Sequence, residues 1–154
     1  MAGENEVVSN EQVIFKNYVS GFPADSDMYL ITACTKLNVP EGSKAILVKN
    51  LYLSCDPYLR GKMRSLPSED PNFASYRLGS VILGVAKVED SGHPDMKKGD
   101  LVWGLTNWEE YSLIIAPESF FKVFHTDVPL SYYTGLLGMP GMIAYFGFCN
   151  ICSR

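Results

Sequence analysis

A tyrosine directly after an Asp-Pro pair, in the stretch "LSCDPYLR" from Leu53 to Arg60, is the strongest chemical feature of this chain. An Asp-Pro turn is rigid because the proline ring presets its own φ and restricts the residue before it. It would hold Tyr58 at the end of an apolar strand, with Arg60 close by. A phenol so placed can donate a hydrogen bond to a substrate carbonyl or a cofactor amide. It can equally serve as an amphipathic packing residue, apolar along the ring and wet at the tip.

Other chemistries have less to work with. Cys149 and Cys152 form a C-x-x-C frame, half of a zinc site or a redox pair, but no second pair accompanies it. An incidental or packing role is expected for both, and no metal site. His93, between Gly92 and Pro94, reads as an exposed turn histidine, and His125 as a loop residue. "GLLGMPG" (135–141) has three glycines, yet no strand leads into it and no lysine follows in phosphate-loop position. No G-x-S-x-G is present. The acid pairs Glu109-Glu110 and Glu89-Asp90 read as solvated edges, since neighbouring residues on a strand face opposite ways.

The elements that must position Tyr58 are mostly strands. "EQVIFKNY" (Glu11–Tyr18) opens an alternating strand, the polar stretch Ser20–Asp27 turns the chain, and Met28–Leu37 alternates again. Lys44–Ser54 is the strongest strand, with Ile46, Val48, Asn50, Tyr52 and Ser54 on one face. The Asp56–Met63 segment is short enough for a single capped turn. Arg64–Arg77 reads as an exposed loop. Gly79–Asp90 is an apolar strand whose central Gly84 predicts a bulge or a close backbone approach. Short strands follow at Leu101–Trp103, in "WEEYSLIIA" and in "FFKVF". Many short strands and frequent turns before residue 125 predict a barrel.

From Ser131 the period changes. Ser131 is placed to cap a helix through "YYTGLLG", and Pro140 fits the first turn of a second one. There Met142, Tyr145, Phe146 and Cys149 follow i, i+3, i+4, i+7 spacing along one apolar face. The fold expected is mainly β with C-terminal helices.

Bulk composition narrows the function. The 154-residue chain carries a formal charge of −4 and has a pI near 5.1, which disfavours nucleic acid and anionic membrane surfaces. The polar, acidic N-terminus lacks a signal peptide pattern, and four irregularly spaced cysteines suggest reduced thiols in the cytoplasm. Val128–Ser153 is uncharged and long enough to span a bilayer. The interruptions at Gly135, Gly138, Pro140, Gly141 and Gly147 argue instead for a buried, broken helix pair that normally packs against something further.

Several segments taken together resemble the plant branch of the zinc-free medium-chain dehydrogenase/reductases. These are the NADPH-dependent 2-alkenal (double-bond) reductases, relatives of the prostaglandin reductases. The segments are "YVSGFP", "VPEG", "LVKNLYLSCDPYLR", "SGHPDMKKGDLVWG", "WEEYS" and "HTDVPLSYYTGLLGMPGMIAYFGF", and they run from Tyr18 to Phe148. The resemblance implies a GroES-like barrel over residues 1–130, forming the substrate and catalytic side of a cleft. Residues 131–154 would be hinge helices leading to a Rossmann cofactor domain, before which this chain stops.

The resemblance also implies roles. Tyr58 would be the catalytic residue that orients an α,β-unsaturated aldehyde or ketone, and Pro57, Tyr58, Met139, Gly141 and Met142 would line NADPH. Leu83 would meet the substrate where the family usually has Tyr or Phe, and Ile143 stands where it usually has Thr. Zinc-dependent relatives carry Gly-His-Glu where this chain reads Gly79-Ser80-Val81, so no zinc ligand is expected. A cytoplasmic homodimer is expected of the parent enzyme, whereas the 154-residue chain alone is expected to be inactive. Two other readings stand beside it. One is a non-catalytic fragment that binds small molecules or a partner weakly, suggested by the charge-free terminus. The other is a GroES-like co-chaperone, which shares only the barrel class.

Overall fold

Alternation of apolar and polar residues generates two antiparallel sheets. The computed structural model describes residues 6–64 and 81–152. Strands β1 (Val7–Phe15) and β2 (Met28–Lys36) form a ribbon, with Val7 opposite Lys36 and Phe15 opposite Met28. The first strand starts four residues before the Glu11 expected from alternation. Val7 and Val8 suit a pleated strand, and their partners on β2 extend the ladder to them.

The second sheet holds β3 (Ile46–Leu53), β4 (Val81–Ser91), β5 (Leu101–Asn107), β6 (Tyr111–Ile114) and β7 (Phe121–Lys122), in the order β6-β3-β4-β5-β7. All its pairings are antiparallel. Both faces are buried where β3 begins: Ala45, just before it, and Ile46, Leu47 and Val48 are all removed from water, while the strand's edges are paired to β6 and β4. Its pairing with β4 shifts register between Leu47 and Val48 and again between Asn50 and Tyr52.

The second irregularity faces Gly84, where a close backbone approach was expected and is found. A Cβ built there would lie 2.8 Å from the Tyr52 carbonyl oxygen and 2.9 Å from Thr106 Cγ2. The β5 strand continues to Asn107, well past the predicted Trp103, because β4 supplies partners as far as Val81.

Two apolar clusters result. Ile46, Val48, Ala86, Val88, Met96, Val102 and Phe120 fill the sheet interior, with Ile114 packed against them. A smaller cluster joins Leu59 and Ile82 to Phe15, Leu53, Met63 and Trp108. It pins helix α1 (Leu59–Lys62) to the sheet. Replacing Leu59 by Ala should lower stability by about 2–4 kcal/mol in urea unfolding, since its removal leaves a cavity at the helix anchor.

The acid pair at 109–110 is not a solvated edge. The Glu109 carboxylate accepts four hydrogen bonds. Oε2 takes Gln12 Nε2 at 2.7 Å and Asn10 Nδ2 at 3.1 Å, while Oε1 takes Asn107 Nδ2 and Ser112 Oγ, each at 2.9 Å. Asn50 Nδ2 donates to Ser112 Oγ and to the Glu109 carbonyl, and Thr106 Oγ1 donates to Asn50 Oδ1. Glu110 stays exposed, but its Oε2 accepts the Glu11 N–H. The two acids lie in the turn before β6, where strand alternation does not apply, and β1 arrives over that turn with amide side chains.

A surface pair closes the hairpin region near β7. Lys122 Nζ lies 2.7 Å from Asp100 Oδ2, which also accepts the Lys97 N–H. These two hydrogen bonds hold the Asp100 carboxyl below its ordinary value. A lowered folded pKa stabilises above the unfolded value and is lost as pH falls through the folded one. Asp100→Asn should therefore cost about 1 kcal/mol or less near neutrality, and the cost should shrink as pH falls through the lowered value, a difference readable from thermal melts at neutral and strongly acid pH.

Toward the C-terminus a 3-10 turn (Leu130–Thr134) precedes helix α2 (Met139–Phe146), which runs on into one π-helical turn (Gly147–Ile151). Pro140 sits in the first turn of α2 as predicted. Ser131 does not cap a helix: it lies inside the 3-10 turn, and its carbonyl accepts Thr134 Oγ1. The predicted apolar face exists, but it is not buried within the described residues. Met142 is 48% exposed and Phe148 79%, and Tyr145, Phe146 and Cys149 are also exposed. Among the described residues, no helix is long and apolar enough to cross a membrane. The rest of the loop expected at 64–77 and the Gly79-Ser80 pair lie outside the described residues.

Candidate functional site

Three segments converge where β3 ends. Ser54 extends the ladder by one bond, its N–H donating to the Leu83 carbonyl on β4 at 2.8 Å. Its hydroxyl lies 2.9 Å from Asp56 Oδ2 and 3.1 Å from the Thr134 carbonyl. Ser54 and Asp56 are both buried, at 3% and 6% exposure. This changes the expected role of Asp56. Its carboxylate does not cap the helix but turns inward to Ser54, and its main-chain carbonyl accepts the Leu59 N–H instead. The buried hydroxyl is the only side-chain donor drawn to that carboxylate among the described residues.

Tyr58 follows in right-handed helical conformation and is 44% exposed. Leu59, next to it, is buried, so the backbone is fixed while the phenol reaches solvent. Burial of part of the ring, and secondarily the Asp56 charge, push the phenol above its ordinary value of 10.0. It is therefore a neutral hydrogen-bond donor throughout the neutral range. Lys62 Nζ lies 5.8 Å from the ring centroid. One Arg60 nitrogen donates to the Gly21 carbonyl, while Nη1 is buried with no hydrogen-bond partner among the described residues.

Leu83 is on β4 opposite Leu105 and is only 8% exposed. Its carbonyl, rather than its side chain, is what joins the Tyr58 turn. Pro57 is exposed, Met139 and Gly141 are half-buried, and Met142 is exposed. The 3-10 turn is tied to α2 by backbone bonds: Leu137 N–H to Tyr132 O, Gly138 and Gly141 N–H to Gly135 O, and Met142 N–H to Gly138 O. Gly141 sits so close to the Leu136 carbonyl that no side chain fits between them. Gly141→Ala should lower stability by about 1–3 kcal/mol, measured by denaturant titration, because the backbone must move to admit a methyl.

The structure thus joins Leu83, the Pro57–Tyr58 turn and the segment leading to Met139–Met142 around one serine. Ser54 was not singled out from sequence, since Ser-x-Asp is too common a spacing to signal a site. The expected incidental residues stay apart from it. Cys149 and Cys152 are exposed free thiols, and His125 offers only its carbonyl, to Tyr133. His93 organises its own turn, with Nδ1 accepting the Asp95 N–H. Among the described residues no group of three or more His, Cys, Asp or Glu is placed to hold a metal ion.

The chain is thus a mainly β, antiparallel domain with a tyrosine turn at the end of an inner strand. The family described as the N-terminal domain of oxidoreductase matches residues 11–123, and the chain belongs to it. Within that class it resembles two plant reductases over nearly all its length. It is 58% identical over 150 residues to the NADP-dependent 2-alkenal reductase of Nicotiana tabacum, covering 96% of this chain and 43% of the relative. It is 50% identical over 151 residues to (+)-pulegone reductase of Mentha piperita, covering 96% and 44%. Among solved structures, CurA of Vibrio vulnificus in complex with NADPH superposes with a TM-score of 0.71 at 27% identity, covering 90% of this chain and 40% of that one. The GroES-like barrel expected from sequence is in keeping with this fold. The chain spans less than half the length of the curated relatives it matches.

Proposed function

We propose that this chain is the substrate-side domain of an NADPH-dependent alkenal/enone reductase, which saturates the α,β-double bond of unsaturated aldehydes and ketones. The observation that carries the reading is Tyr58: a neutral, half-exposed phenol on a turn whose backbone is anchored by buried Leu59 and Asp56. Relatives named as a 2-alkenal reductase and a pulegone reductase, at 58% and 50% identity, supply the reaction class. In this reading residues 1–130 form the catalytic domain and 131–154 the hinge toward a cofactor domain. The working protein is a cytoplasmic homodimer with no nucleic-acid or membrane partner.

The residues present fit the nicotinamide end of the cofactor. Exposed Pro57 and Met142 and half-buried Met139 offer apolar surface for a flat ring, and Gly141 lets the chain turn tightly beside it. When bound, NADPH would supply the hydride that the β-carbon accepts. Tyr58 donates its O–H to the substrate carbonyl oxygen, which draws electron density from the double bond and stabilises the oxyanion as it develops. Leu83, almost wholly buried, would offer the acyl chain only a small apolar surface. Buried Ser54 and Asp56 hold the turn, so Tyr58 keeps its orientation without reorganising.

NADPH oxidation driven by a trans-2-alkenal tests the reading in protein of the relatives' full length. Turnover is expected there, and none from the 154-residue chain alone. A full-length protein that binds NADPH yet leaves alkenals and enones unreduced would overturn it.

A further inference from the structure

Ser54 makes more polar contacts than the end of a strand demands. A buried serine at a strand end is satisfied by one acceptor, and this hydroxyl has one hydrogen with two acceptors in reach. The Asp56 carboxylate lies at 2.9 Å and the Thr134 carbonyl at 3.1 Å, so the hydrogen is shared between them. The first belongs to the turn that carries Tyr58, three residues after the strand. The second closes the 3-10 turn whose backbone bonds run on to Gly141 and Met142. Ser54 N–H is meanwhile committed to Leu83 at 2.8 Å. Three segments distant in sequence therefore meet on the atoms of one residue.

We propose that Ser54, with Asp56, is a positioning residue that locks the Tyr58 turn to the segment entering α2, so that the two move as one frame. Separately mounted, the turn and the helix entrance would drift against each other, and the phenol would lose its register with whatever lies on Met139 and Met142. The coupling stands on the geometry alone. Its consequence for reduction rests on the alkenal reductase reading.

Hydrogen exchange read by mass spectrometry tests the coupling in the 154-residue chain. Ser54→Ala should speed exchange about five- to tenfold in peptides covering both 56–63 and 130–142, the effect of one lost buried hydrogen bond. Peptides within β4 and β5 should stay protected, which separates uncoupling from general loss of stability. Ser54→Thr, which keeps the hydroxyl, should restore both segments. If Ser54→Ala does not fold, Ser54→Cys, nearly isosteric and a weaker donor, is read in the same way. Faster exchange in 56–63 alone, with 130–142 as in the wild type, overturns the coupling. Asp56→Ala supplies a second readout: with the acceptor carboxylate gone, exchange in 56–63 should speed as it does in Ser54→Ala. Unchanged exchange there overturns the part assigned to Asp56. Neither measurement uses NADPH or an enone, so a failed turnover assay would count against the reductase reading and leave the coupling intact.

Discussion

Tyr58→Phe should reduce turnover of an alkenal by about 10²-fold in protein of full length, while NADPH binding changes little. Removing one oxygen leaves the ring and its packing in place, so an apolar cofactor contact survives. What disappears is the phenol hydrogen that the turn presents to a carbonyl. A positioned donor or acid is worth about 10²–10⁴ in rate, and the low end suits a residue that is nearly half exposed. The effect should fall mainly on kcat, because the bond strengthens as negative charge collects on the carbonyl oxygen.

The pH dependence carries a second signature. Partial burial and the Asp56 charge raise the phenol above 10.0. The donor is the protonated form, so activity assigned to it persists past pH 10 and falls only as pH rises through the raised value. Stability moves with the same sign, since the folded state holds this proton more tightly than the unfolded chain and loses that advantage on ionisation. A rate profile whose alkaline limb lies above pH 10 in the wild type and is missing in the Phe variant would support the assignment. A Phe variant with wild-type kcat would remove Tyr58 from the chemistry.

The largest structural effect is expected at Glu109. Glu109→Ala should lower the unfolding free energy by about 3–5 kcal/mol, because one truncation strands donors from Asn10, Gln12, Asn107 and Ser112. A half-buried donor left without a partner loses the protein bond without regaining full hydration. The ribbon β1–β2 should loosen first, since Asn10 and Gln12 are among its ties to the five-stranded sheet, with the Val13 N–H to the Trp108 carbonyl and the Glu11–Glu110 bonds. Glu109→Gln should cost less, as its amide oxygen still accepts from one side while its NH₂ faces donors on the other. Urea unfolding of the two variants, with fluorescence from Trp108 as a local probe, separates these outcomes. Equal stability of wild type and Glu109→Ala would mean that the ribbon is held by its apolar side chains alone.

Local pattern was enough for what depends on neighbours along the chain. The period-2 runs Met28–Leu37 and Lys44–Ser54 located two strands within a residue or two. Pro140 marked the start of α2, and Gly84 marked the close approach of two backbones. The family was legible too, because "SCDPYLR" and "GMPGM" combine backbone demands and chemistry that few other contexts share. Tyr58 could be named for the same reason: proline restricts the turn locally, before any long-range contact forms.

What the tertiary structure decided were the partnerships that cross long sequence separations. Alternation sorted the residues of β3 onto two faces, but only packing decided that Ala45, Ile46, Leu47 and Val48 would all be buried. Glu109 read as surface until β1, almost a hundred residues earlier, brought its amides over the turn. Asp56 read as a helix cap, but a buried serine two residues back drew its carboxylate inward. In each case a polar group met its partner only in the folded chain. Spacing along a sequence reports which groups need partners, whereas burial in three dimensions determines which partners they find.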